Sequence, residues 1–73
     1  MADRRTVLID YTNWRGERSM RTVIPERIEF ANSEWHPDTQ WLLLGWDCDK
    51  RADREFAFSG IHSIRPPLPH GGE

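Results

Sequence analysis

Two arginines and a set of aromatic rings are the side chains here whose chemistry suits recognition: Arg21 and Arg54, with Tyr11, Trp14, Trp41 and Trp46. A guanidinium is a planar fork of donors that matches phosphate or carboxylate oxygens two at a time. If Arg21 and Arg54 converge, they form a two-pronged anion site. An adjacent ring then offers a face on which a nucleobase stacks. A plainer reading stays open beside this one. Arg54 pairs with Asp47 or Asp53, and Arg21 with Glu17 or a cross-strand acid, in ion pairs that contribute little at a surface.

The other reactive residue types do not assemble into a site. Asp47, Asp49 and Asp53 crowd one turn but lack the glycine and distal glutamate of a calcium loop, where Phe58 stands instead. They read as turn formers. His36, His62, His70 and Cys48 have no zinc-ligand spacing, so neither a metal nor a cofactor is expected. Ser19, Ser59 and Ser63 with His36 or His62 define no nucleophile and base, so the chain does not read as an enzyme. Cys48 is the single cysteine, which excludes an internal disulfide, and nothing around it specifies an activated thiolate. No apolar segment fits a signal peptide or a membrane anchor, which makes the cytoplasm the expected compartment and leaves the membrane out as a partner.

Charge narrows the class further. The net charge is −2, with ten basic residues, nine of them arginine. That balance argues against indiscriminate nucleic-acid binding, which needs excess phosphate-neutralising charge. It leaves room for a local arginine cluster.

The elements that must position these residues are short strands. Gln40–Asp47, QWLLLGWD, is the most apolar stretch, with Trp41, Leu43 and Gly45 on one side and Leu42, Leu44 and Trp46 on the other. A strand apolar on both faces must be covered on both. Thr6–Asn13 alternates Val7, Ile9 and Tyr11 with Leu8, Asp10 and Thr12, as a half-buried strand does. Asn13–Arg18 centres on Gly16 and reads as a hairpin turn. Ser19–Ile24 and Arg27–Phe30 form one long strand interrupted near Pro25, which cannot donate to a ladder. Residues 31–39 form a loop in which Trp35 is either an exposed contact point or folds back over the barrel mouth. Cys48–Asp53 is a tight connection, followed by strands at Arg54–Phe58 and Ile61–Ile64. The expected core is Val7, Ile9, Tyr11, Val23, Ile28, Phe30, Trp41, Leu43, Trp46, Phe56, Ile61 and Ile64. These readings divide the chain into an N-terminal tail at 1–5, one domain at 6–65 and a Pro/Gly-rich tail, taken as disordered, at 66–73. Five short strands without a convincing helix predict an all-β fold, a small, strongly bent barrel. A flat antiparallel sheet that dimerises through its second face is the alternative.

Three ordered spacings resemble the WYL-domain family. The first is Ile9-x-Tyr11, then Gly16-Glu17, then Arg21-x-Val23-x-Pro25. The second is Trp41-Leu42-Leu43 leading to Asp47. The third is Arg54-x-Phe56, then Ile61. The likeness covers residues 7–65, and the segment from Glu34 to Leu43 is similar to short, free-standing bacterial and phage members. It implies an Sm-like β-barrel that senses ligands in bacterial transcription regulation, with nucleotides or nucleic acids as favoured candidates. Leu42 stands where the family commonly has a central tyrosine, and Gly60 where an arginine often precedes the last isoleucine. The carried-over site is therefore Arg21 and Arg54, with Trp41 beside them.

The reading that follows is a non-catalytic ligand-binding or regulatory module. Arg21, Arg54, Trp41, Tyr11 and Trp14 would hold a nucleotide or single-stranded nucleic acid. Its rival is an interaction module, a homodimer or a complex with a partner protein, packed through Leu42, Leu44, Trp46 and Trp35.

Overall fold

The computed structural model describes residues 6–33 and 36–66. Five strands form one antiparallel sheet: β1 Val7–Thr12, β2 Arg18–Ala31, β3 Gln40–Asp47, β4 Ala52–Ala57 and β5 Ile61–Arg65. Their spatial order is β4-β3-β2-β1-β5. The only helical element among the described residues is a 3₁₀ turn at Phe58–Gly60, which joins β4 to β5. The fold is all-β, as expected. Of the expected tails, residues 1–5 and 67–73 lie outside the described residues.

That joining turn forces the sheet to curl. β4 and β5 occupy opposite edges, four strand spacings apart. In a flat sheet these would lie about 19 Å apart, at roughly 4.8 Å per spacing. The chain from Ala57 to Ile61 reaches at most about 14 Å, even fully extended. The two outer strands must therefore roll toward each other. Tyr11 of β1 and Phe56 of β4, with two strands between them in the sheet, meet edge to face with ring centroids 5.0 Å apart. The backbone N–H of Ala57 donates to the Tyr11 hydroxyl at 3.1 Å across the same gap. No ladder joins β4 to β5 among the described residues. The result is a curled sheet that is not closed.

Local sequence explains the bends. Gly16 supplies the left-handed residue of the β1–β2 turn, with φ of 81°. Asn13 ties that turn together, its Oδ1 accepting from the N–H groups of Arg15 at 2.9 Å and Glu17 at 3.0 Å. The 14-residue β2 serves two neighbours in turn, pairing with β1 early and β3 late. Its register against β3 shifts between Pro25 and Arg27. The expected interruption is thus a bulge: the extra residue, Glu26, bends the strand beside a proline that has no N–H to give. β2 crosses so close to β3 at Gly45 that a Cβ there would collide with the carbonyl oxygen of Ile24.

The core is Ile9, Tyr11, Val23, Leu43 and Phe56, with Val7 and Ile61 packed against it. β3 is an interior strand buried on both sides, through Leu42 and Leu43. Five expected core residues are instead exposed: Ile28, Phe30, Trp41, Trp46 and Ile64. Ile28 and Phe30 do share a face with Leu43 through the cross-strand pairs Ile28↔Leu43 and Phe30↔Trp41. Their end of the β2–β3 ladder, however, runs on past Val23, where the pairing of β2 with β1 ends. Trp46 is opposite Asp53, on the side of β3 away from Leu43. No helix of the described residues is long and apolar enough to cross a membrane.

Candidate functional site

Arg21 and Arg54 rise from the face that builds the core. Arg21 is opposite Ile9, and Arg54 is opposite Gly45, two pairs along from Leu43 and Phe56 and so on the same face. Opposed residues in an antiparallel ladder share a face. Curling of the sheet brings both arginines onto the wall of one open cleft of about 880 Å³. Gly45 also lines this cleft, and the room a side chain would take there is filled by the β2 backbone at Ile24 and Pro25.

The two guanidinium groups differ in state. Arg21 is largely buried, its side chain 16% exposed. Its Nη1 donates to Oδ2 of the fully buried Asp47 at 2.9 Å and its Nε to Oγ of Ser19 at 2.8 Å. Asp47 lies opposite Val23, so its partner Arg21 is the diagonal neighbour two residues along β2. The other carboxylate oxygen, Oδ1, accepts from the N–H groups of Asp49 at 2.9 Å and Lys50 at 3.1 Å, which anchors the β3–β4 turn. Arg54 is exposed and has neither ion pair nor side-chain hydrogen bond among the described residues. Arg21 thus follows the cross-strand pairing that its sequence context allowed, and Arg54 does not.

Three further cations border the cleft that sequence reasoning passed over: Lys50, Arg15 and Arg27, the last paired with Glu29. Lys50 lies just past Asp47, and Arg15 places its guanidinium 5.1 Å from the ring centroid of Trp14. Trp14 is 65% exposed and stands on the Asn13-tied turn, so its ring is presented by a stiff element. Acidic side chains share the wall, among them Glu26, Asp53 and Glu55. The cleft is mixed in sign. Glu55 Oε1 is buried without a hydrogen-bond partner, an acceptor in want of a donor.

The aromatics divide. Trp14 and Tyr11 line the cleft, but Tyr11 is nearly buried and committed to Phe56 and Ala57. Trp41 is not on the cleft wall. It leans on Phe30 with ring centroids 5.1 Å apart. Trp46 also lies away from it. The second apolar face does not survive as expected: Leu42 is closed off, Leu44 is half-buried on the cleft wall, and only Trp46 is exposed. Trp35 lies outside the described residues. Cys48 is a half-buried free thiol. Among the described residues, no group of three or more His, Cys, Asp or Glu side chains gathers as metal ligands do.

A family model described as the WYL domain matches residues 1–66 of the chain. No curated protein matches it.

Proposed function

The chain belongs to the WYL-domain family, and from that premise we propose that it is a non-catalytic regulatory module that binds a nucleotide or single-stranded nucleic acid. WYL domains are generally regulatory, ligand-sensing domains. The observation that carries the reading is Arg54: an exposed, unpartnered guanidinium on a cleft wall shared with the exposed ring of Trp14. A phosphate oxygen satisfies the first through a charge-assisted hydrogen bond. A base stacks on the second, a contact worth about 1–3 kcal/mol. Arg21 supports the site as part of its wall, its Nη1 and Nε already engaged by Asp47 and Ser19. The curl that brings β1 against β4 supports an Sm-like small barrel left open at one seam. The same reading places the module in the cytoplasm and in transcription regulation.

Tryptophan fluorescence titration with mononucleotides and short oligonucleotides tests this. A saturable signal is expected, weakened by salt and abolished by Arg54→Ala. Binding that is indifferent to Arg54→Ala, or no binding at all, overturns the reading.

A second reading, self-association, draws on a different observation. Ile28, Phe30 and Trp41 share one sheet face and are each more than half exposed. Such a patch is the kind that protein contacts cover. It replaces the Leu42, Leu44 and Trp46 face as the surface for a second copy.

A further inference from the structure

A second cleft, of about 500 Å³, meets the first along a common wall of Tyr11, Asn13, Trp14 and His36. The two differ sharply in charge. The first is lined by arginines, Lys50 and carboxylates, the second, among the described residues, by no Asp, Glu, Lys or Arg side chain. In their place it carries Thr12, Gln40 and Ser59, each able both to donate and to accept, together with His62.

His36 is the unusual member of the common wall. It is only 9% exposed. Its backbone is pinned to Ser33 by reciprocal bonds, Ser33 N–H to the His36 carbonyl at 2.8 Å and His36 N–H to the Ser33 carbonyl at 3.1 Å. Its ring nitrogens have no hydrogen-bond partner among the described residues. His62, in the same cleft, contrasts with it, its Nε2 lying 2.7 Å from Thr12 Oγ1. A neutral imidazole held on a cavity wall with both nitrogens unengaged has one donor and one acceptor to offer an occupant.

We propose that the second cleft is the subsite for the uncharged heterocycle of the ligand, with His36 reading the edge of that ring. This rests on the anion-cleft reading above and completes it. The phosphate goes to Arg54, the base crosses the wall beside Trp14, and its hydrogen-bonding edge faces His36. The ligand class becomes a nucleoside phosphate rather than a bare anion.

The test uses the full chain and three sets of probes: inorganic phosphate, the four ribonucleosides and their 5′-monophosphates, titrated by calorimetry. Near-UV circular dichroism checks that each variant keeps its native packing. His36→Ala is expected to weaken the best nucleoside and its monophosphate about tenfold while leaving phosphate unchanged. His36→Gln, which retains a donor and an acceptor, is expected to recover part of that loss. Arg54→Ala is expected to weaken phosphate and the monophosphate but not the nucleoside. If monophosphates bind through Arg54 and ignore His36, the anion cleft stands and this subsite falls. If His36→Ala weakens phosphate as much as the monophosphate, the subsite also falls. If wild-type protein binds none of the probes, the anion-cleft reading fails and the subsite with it.

Discussion

Arg21 and Asp47 form an ion pair that is largely withdrawn from water, Nη1 to Oδ2 at 2.9 Å, with no part of Asp47 reaching solvent. Removing one member of such a pair leaves the other charged and uncompensated, which costs about 3–5 kcal/mol. Arg21→Ala is therefore expected to lower unfolding stability by an amount in that range, measured by urea denaturation. Arg54→Ala, with no partner to strand, is expected to stay within about 0.5 kcal/mol of wild type. An equal loss in both variants would show that the pair does not support the fold. The contrast matters for function, because loss of binding in Arg21→Ala would report a damaged sheet as readily as a damaged site.

Tyr11 makes the second long-range tie. Its hydroxyl accepts from Ala57 N–H, which joins β1 to the end of β4. Tyr11→Phe keeps the edge-to-face contact with Phe56 but strands a buried N–H. The expected loss is about 1–3 kcal/mol. It should appear as a lower urea midpoint at unchanged slope. A change below about 0.5 kcal/mol would mean that water takes over the bond and that the hydroxyl does not hold the curl.

Much of the architecture was legible in the residues. Alternation marked β1, the bend at Pro25 marked the bulge, and the doubly apolar Gln40–Asp47 marked an interior strand. Curvature was not legible. Ile28 and Phe30 alternate as cleanly as Ile9 and Tyr11, yet only the latter lie where the sheet folds over itself. Alternation reports which residues share a face, whereas coverage depends on how far each strand outruns its neighbours. The Arg21–Asp47 pair was hidden for a related reason. It joins diagonal positions whose alignment depends on the single extra residue of the bulge. His36 was weighed only as a metal ligand or a catalytic base, because no local pattern shows that its ring nitrogens lack partners.

Acid dependence is expected from Asp10. Arg18 binds its carboxylate with two donors, Nε to Oδ1 at 2.9 Å and Nη2 to Oδ2 at 2.8 Å. The hydrogen bond to Arg18 holds the Asp10 carboxyl below its ordinary value, overcoming the opposing effect of burial. A carboxyl lowered in the folded state adds stability above its unfolded pKa and loses it as pH falls through the folded one. Asp10→Asn should therefore be less stable than wild type at pH 7, with the gap closing in the acid range below the ordinary carboxylate value. Salt should narrow the gap at pH 7, since the pair is exposed. A gap that stays constant with pH would assign the loss to something other than the charge.

The exposed Phe30–Trp41 pair separates the two functional readings. Its rings touch at 5.1 Å between centroids on a face that also carries Ile28, and nothing among the described residues covers them. If this face joins two copies, sedimentation velocity should show a concentration-dependent dimer that Trp41→Ser removes. That substitution is expected to cost about 0.5–1.5 kcal/mol of stability through the lost ring contact, too little to unfold a domain of ordinary stability. Nucleotide titration of Trp41→Ser should remain unchanged, because Trp41 stands off the cleft. A wild-type chain that stays monomeric throughout would remove the assembly reading. A variant that loses both dimer and nucleotide binding would instead show that the cleft is completed by a second copy.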